Sequence, residues 1–195
     1  MSIISSTLNE PTINTDLRFV VENEEDAIHI FLYIPDKERY VCLLNINTLD
    51  IDSFLSYEIE DTMNSLNREE KESLEEFVLD IEDSDMVITF ESIATDEDHR
   101  GNKYASALID YSLNYIKKEY SDCDFFINMN ACAFGMDFTM LDQESLVRFY
   151  KRKGFETYLD QGGNSLMSIQ DISTIKPYIN HTKNLITENN PIASP

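Results

Sequence analysis

The sequence predicts a mixed α/β (α+β) domain, and three observations predict it. Two runs rich in β-branched and aromatic residues, Ala27 to Ile34 and Arg39 to Ile46, flank the four-residue turn Pro35 to Glu38. That is the pattern of an antiparallel hairpin. A strand-like run, Met86 to Thr95, leads through a charged turn into a helical run from about Asn102 to Tyr120. A further strand, a short helix and a strand pair follow between Asp124 and Gln170.

Taken in order, residues 1–16 read as a loose, flexible polar leader. Leu17 to Val21 forms a short strand ahead of the hairpin, and residues 47–64 show no dominant period. Asn67-Arg-Glu-Glu70 has the form of a capping box. Leu74, Phe77, Val78 and Ile81 recur after it at helical spacing, on a helix whose outer face is acidic. The later helix carries Ala105, Leu108, Ser112 and Ile116 on one face, with Lys117 and Lys118 matching the dipole in its last turn. Asp124 to Met129 is a strand, and residues 130–142 are apolar but aperiodic, a loop that packs or binds something. Gln143 to Lys153 is a short helix with Asp142 as N-cap and Gly154 as its stop. Phe155 to Leu159 and Ser165 to Gln170 form a final strand pair, and the tail from about residue 180 is flexible.

At 195 residues one domain is expected. There is no apolar run long enough to span a membrane, and no signal peptide at the N-terminus. Three cysteines without metal-ligand spacing suit free thiols in a reducing, cytoplasmic setting. Three scattered histidines make no metal site.

The net charge of -22 argues against direct contact with nucleic acid. It favours cationic partners, such as amines, polyamines, lysine side chains or basic proteins, or it serves solubility. From Asp50 to Asp85 there are 14 acids against Arg68 and Lys71, a net of -12. The bases gather elsewhere: Arg100 and Lys103 in one motif, Arg148, Lys151, Arg152 and Lys153 in another.

The turn after Thr95 aims unpaired N–H groups and a helix dipole at one spot, where Gly101 lets a ligand approach the backbone. Such a spot suits a phosphate or pyrophosphate. Together, Arg100-Gly-Asn-Lys-Tyr-Ala105 and Phe149-Tyr-x-x-x-Gly-Phe155 resemble the GNAT superfamily of N-acetyltransferases over roughly residues 17–170. The first resembles that family's (Gln/Arg)-x-x-Gly-x-(Gly/Ala) loop, which grips the pyrophosphate of acetyl-coenzyme A. The second resembles its C-terminal helix signature, whose tyrosine often serves as general acid.

The resemblance implies the GNAT fold: a central mixed, mostly antiparallel twisted sheet of about six to seven strands flanked by helices. The acidic helical segment at about 50–85 is then an insertion, and 171–195 a partly flexible C-terminal extension. It also implies acetyl-CoA as cofactor, held by Ile93, Ala94 and Thr95 on the central strand and by Arg100, Gly101, Asn102, Lys103, Tyr104 and Ala105 in the loop. Tyr150 is the expected general acid, with the surrounding bases lowering its pKa. Glu91 is the candidate base, placed by strand alternation on the face of Thr89, Ile93 and Thr95. Asp96, His99 or a chain of waters are alternatives.

Departures from the family pattern are Lys103 where a glycine is expected, Gln143 for asparagine and Leu146 for a small residue. The expected activity is transfer of an acetyl group to the primary amine of a cationic acceptor: a protein lysine or N-terminus, a polyamine or an aminoglycoside-like molecule. A catalytically weak protein of the same fold, binding a basic partner through its acidic surface, is the alternative. The oligomeric state is open, a homodimer included.

Overall fold

Residues 27–34 and 39–50 are rich in β-branched and aromatic side chains, and in the computed structural model of the protein they form two long paired strands. The structure describes residues 18–24, 26–34, 39–132, 142–161 and 163–175. The expected leader, hairpin turn, most of the 130–142 loop and the far tail lie outside them. Seven strands make one sheet: β1 (Arg18–Asn23), β2 (Ala27–Ile34), β3 (Arg39–Asp50), β4 (Met86–Thr95), β5 (Phe125–Cys132), β6 (Glu156–Asp160) and β7 (Asn164–Ile169). Their order is β1-β2-β3-β4-β5-β7-β6. Every pairing is antiparallel except β4 with β5. This mixed, mostly antiparallel sheet flanked by helices is the architecture implied by the family resemblance.

Helices lie on both faces. α4 (Tyr104–Glu119) and α5 (Gln143–Lys151) cover one face, over a core that includes Ile30, Leu44, Ile88, Leu108, Ile127 and Phe155. α1 (Ile51–Phe54), α2 (Glu60–Ser65) and α3 (Arg68–Ile81) cover part of the other, around Phe54, Phe77, Val87, Phe126 and Leu159. The rings of Phe54 and Phe77 meet Phe126 edge-on at 5.5 and 5.8 Å. Within the short 171–175 stretch, Ile175 is buried in the first core.

Several elements follow from the residues that predict them. The capping box holds: Asn67 Oδ1 accepts from Glu70 N–H at 3.1 Å, and Glu70 Oε2 accepts from Asn67 N–H at 2.8 Å. Two differ. β3 runs on to Asp50, past the expected Ile46, because it keeps pairing with β4 down to Asp50 and Met86. Residues 51–65, which lack a helical period, are nonetheless helical, with a π-helical stretch at Leu55–Ile59. An α-helix would set Phe54 and Ile59 about 140° apart. The wider turn lets both bury against the sheet.

Tyr158 on β6 stacks on Phe77 at 3.7 Å and donates to Asn128 Oδ1 at 2.9 Å. Burial, then the nearby Glu58 carboxylate, push its phenol pKa up. The folded chain therefore holds this proton more tightly than the unfolded one. That contribution to stability is full below the unfolded value of 10.0 and is lost as pH climbs toward the folded value. Tyr158→Phe is expected to cost about 1–2 kcal/mol at neutral pH, since Asn128 loses its donor. In urea unfolding above about pH 10, the variant is expected to lose stability less steeply than the wild type.

Candidate active site

The parallel pairing of β4 with β5 spans only Met86–Phe90 and Phe125–Met129, although β4 continues to Thr95. At the same level β4 carries a bulge: Asn45 lies opposite Ser92 and Ile46 opposite Phe90, leaving Glu91 as the extra residue. Beyond the bulge, β4 and β5 part. Asp96 N–H donates to Val41 C=O at 2.9 Å, which sets the alternation of the β3–β4 ladder. Stepping back along it, Ser92 and Ala94 turn their main-chain groups to β3. The N–H and C=O groups of Ile93 and Thr95 face the gap.

The bulge corrects the alternation expected for Glu91. Ile88 and Phe90 lie on the α4 face, and so do Ile93 and Cys42, the latter opposite Thr95. Thr89 thus lies on the other face from Ile93 and Thr95, and exposed Glu91 occupies the bulge between them. The extra residue shifts the two-residue period by one.

After Thr95, Asp96 caps a 3-10 turn, Glu97–His99. Its carboxylate accepts from Asp98 N–H and His99 Nδ1, each at 3.1 Å, and pairs with the Arg39 guanidinium. The His99 bond first, then Arg39, hold this carboxyl below the usual carboxylate range. Asp96 and His99 (7% exposed) therefore knit the turn together, a structural use that explains both without a role as base. Asn102 Nδ2 donates to the carbonyls of His99 and Arg100 at 3.0 and 3.3 Å.

Gly101 has φ +78°, and a Cβ there would meet no atom within 4 Å, so the space above the turn is open. Lys103, where the family pattern has glycine, keeps the left-handed conformation that glycine favours, with φ +61°. The helix starts at Tyr104, two residues later than expected, because 101–103 form the turn. Lys103 supplies no side-chain cap, so the N–H groups of Tyr104, Ala105 and Ser106 have no intrahelical acceptor. With exposed Arg100 and Lys103 beside them, these groups suit a diphosphate. Half-buried Tyr104 and Ala105 pack on the core and fix the helix start.

Tyr150 is brought to the same face by α5. Asp142 caps that helix as expected, its Oδ1 accepting from Ser145 N–H at 2.7 Å. Gln143 ties the start of α5 to the sheet through Ala131 C=O and Ser165 Oγ, at 2.6 and 3.2 Å. At the other end Gly154, φ +98°, allows a Schellman closure. Phe155 N–H reaches Tyr150 C=O at 3.3 Å, and Gly154 N–H reaches Lys151 C=O at 3.1 Å. The Tyr150 ring then sits against Phe155 and Phe149, with centroids 5.8 and 5.1 Å away.

Tyr150 is 4% exposed, and its neighbours include Cys42, whose Sγ lies 3.1 Å from Thr95 Oγ1. Burial chiefly, with Cys42 adding, pushes its phenol up to about 12. This corrects the expected lowering by nearby bases. Arg148 pairs with Glu144 along its own helix, Lys151 and Arg152 are exposed, and Lys153 turns to α4. Burial also raises the Cys42 thiol, which disfavours its reactive thiolate.

Lys153 was missed as a tie between the two motifs. Its Nζ donates to Ser106 C=O at 3.1 Å, Ser106 Oγ at 2.6 Å and Asp110 Oδ2 at 2.6 Å. Its place three residues after Tyr150 was a signal, since that spacing shares a helix face. The opening turn of α4 and the tyrosine helix are thereby locked together. Among the described residues no group of three His, Cys, Asp or Glu is placed to hold a metal.

No protein-family model matches the chain, and no curated protein matches its sequence. Among solved structures it is similar in fold to a chain of the KacTA–DNA complex, with 12% identity over 77% of this chain and 73% of that one, TM-score 0.46. It is similar to Arabidopsis thaliana NAA60 in complex with a bisubstrate analogue, with 16% identity, 75% and 77% coverage and TM-score 0.44. It is also similar to the ribosomal-protein-S18-alanine N-acetyltransferase from Escherichia coli, with 12% identity, 75% and 70% coverage and TM-score 0.44.

Two substitutions probe the turn and its tie. Lys103→Gly is expected to leave stability unchanged or raise it by up to about 1 kcal/mol, while Lys103→Val costs about 1–2 kcal/mol. Thermal unfolding compares them. Lys153→Met is expected to cost about 1–2 kcal/mol, part of it recovered by adding Asp110→Asn, as a double-mutant cycle in urea measures.

Proposed function

We propose that this chain is an acetyl-CoA-dependent N-acetyltransferase of the GNAT type, acting on the primary amine of a cationic acceptor. The observation that carries the reading is the convergence at one gap in the sheet. The main-chain groups of Ile93 and Thr95 face it, Tyr150 lies on its α4 side beside Cys42, and the strand that borders it runs on into the Gly101–Lys103 turn, where the space over Gly101 is open.

Acetyl-CoA, when bound, supplies an acyl group already activated as a thioester. Arg100, Lys103 and the first-turn N–H groups of α4 would hold its diphosphate. The N–H groups of Ile93 and Thr95 would hold its arm along β4 and are the donors available to a carbonyl oxygen there. Tyr150, protonated at Oη, would be the donor to the departing sulfur and would regain its proton from solvent. The amine loses a proton as it forms the new bond, so protons balance across the exchange. Glu91, exposed at the bulge, is the candidate to receive that proton. The acidic surface raises the local concentration of protonated amines.

The exposed carboxylates of α3, Glu69, Glu72, Glu75 and Glu76 among them, favour a second reading as a binding protein for a basic partner. Reversing those charges separates the two: pull-down lost without any thiol release supports the second reading.

Three measurements test the first. Arg100→Glu is expected to weaken coenzyme A binding about tenfold or more in calorimetry. Tyr150→Phe is expected to lower kcat by about 10²-fold, with coenzyme A affinity changed less than about twofold. The phenol stays protonated until pH nears 12, so kcat/KM is expected to show no alkaline fall on its account below about pH 11. Wild-type turnover retained in Tyr150→Phe would remove it from the mechanism.

A further inference from the structure

One part of the sheet is bare among the described residues. On β2 and β3, Ile30, Leu32, Leu44 and Ile46 point beneath α4 and are 0–1% exposed. Their neighbours His29, Phe31, Leu43 and Asn45 point to the other side and are only half-buried. α1 to α3 pack on that other side against Val87, Phe126 and Leu159, and on β3 against Leu49 near its far end. The rest of β1–β3 and the outer half of β4 carry no helix there.

The strand registers align this bare face into two rows that cross four strands. Val20, Phe31, Leu43 and Ala94 form an apolar row. Glu22, His29, Asn45 and Ser92 form a polar row beside it. The polar row is bonded across strands: His29 Nδ1 to Asn45 Oδ1 at 2.8 Å, and Asn45 Nδ2 to Ser92 Oγ at 2.9 Å. Glu24 lies 3.8 Å from His29 Nε2. At one end the rows reach β4 where its pairing with β5 has ended, beside Glu91. At the other end, Glu22 on β1 and Glu24 just past it are exposed. Arg18 lies beyond the apolar row, so the polar row is the place for a cation.

We infer that this face binds the acceptor as an extended peptide. Its amine enters the gap at Ser92 and Ala94, its body crosses β3 and β2, and a cationic side chain meets Glu22 and Glu24. The inference rests on the acetyl-transfer reading and names its substrate class. Asn45, His29 and Ser92 offer both donors and acceptors, which a peptide main chain can use and a simple alkylamine cannot. Phe31 and Leu43 take an apolar side chain. Carboxylates stand at both ends of a middle that holds none, which complements an amine and a second cation held apart. Three strand spacings put Glu22 ~14 Å from Ser92, about four residues of extended chain. The cation therefore belongs near the fifth residue of the peptide.

The test uses the full chain saturated with coenzyme A and three amidated pentapeptides: Ala-Gly-Leu-Gly-Arg, Ala-Arg-Leu-Gly-Gly and Ala-Gly-Leu-Gly-Gly. The first is expected to bind about three- to tenfold tighter than the other two at low salt, the preference shrinking as salt is added. Glu22→Gln with Glu24→Gln is expected to erase the preference and leave coenzyme A affinity unchanged. Equal affinities, no peptide binding to the loaded protein, or a preference that survives both substitutions would overturn the inference. So would a homodimer that dissociates on Phe31→Asp, which would assign the face to a second copy. Failure of coenzyme A itself to bind would overturn the acetyl-transfer reading, and this inference with it.

Discussion

The structure turns on the point where β4 and β5 stop pairing. Backbone donors and acceptors inside a sheet normally find partners in the next strand. Here a parallel pair ends at Phe90 and Met129, and β4 runs on for five residues beside no β5 partner. The bulge at Glu91 sits at that junction, where an added residue bends a strand and strengthens its twist. The neighbouring elements are arranged around this break. α4 begins just past the end of β4, and α5 brings an aromatic hydroxyl to the same side. In the proposed reaction, the missing ladder bonds are the ones a pantetheine arm makes.

Charge is divided with equal consequence. α2 and α3 present carboxylates to solvent, whereas the turn before α4 presents Arg100 and Lys103. Inside, Lys153 has its three donors matched by three acceptors, two on Ser106 and one on Asp110. A strongly acidic chain thus keeps a cationic patch where an anionic ligand would sit. It spends one half-buried ammonium on tying two helices together.

Much of this was legible in the residues. Asn67 with Glu70, Asp142 and Gly154 are local signals that depend on neighbours within a turn, and they act as read. The strands were legible where alternation or β-branched runs were strong. What escaped depends on distant partners. A bulge leaves no mark on composition, so the face of Glu91 could not be counted from Thr89. The helices at 51–65 lack a period because a π-helical stretch interrupts the α-helical one. Counting bases around Tyr150 gave the wrong sign for its shift, because sequence distance does not show where side chains point. Arg148 runs along its own helix and Lys153 crosses to another, leaving burial to dominate.

The Schellman closure of α5 has a consequence for how damage would show itself. Gly154 bears no chemistry, yet its left-handed backbone lets Phe155 fold back onto the Tyr150 ring. A β-branched residue at that site would strain the closure and swing the aromatic pair off its axis. If Tyr150 is the acid proposed above, such an allele would pass for its loss in a screen for inactive clones while the phenol remained intact. The aim of the proposed proton donor is written in a residue that has no side chain at all.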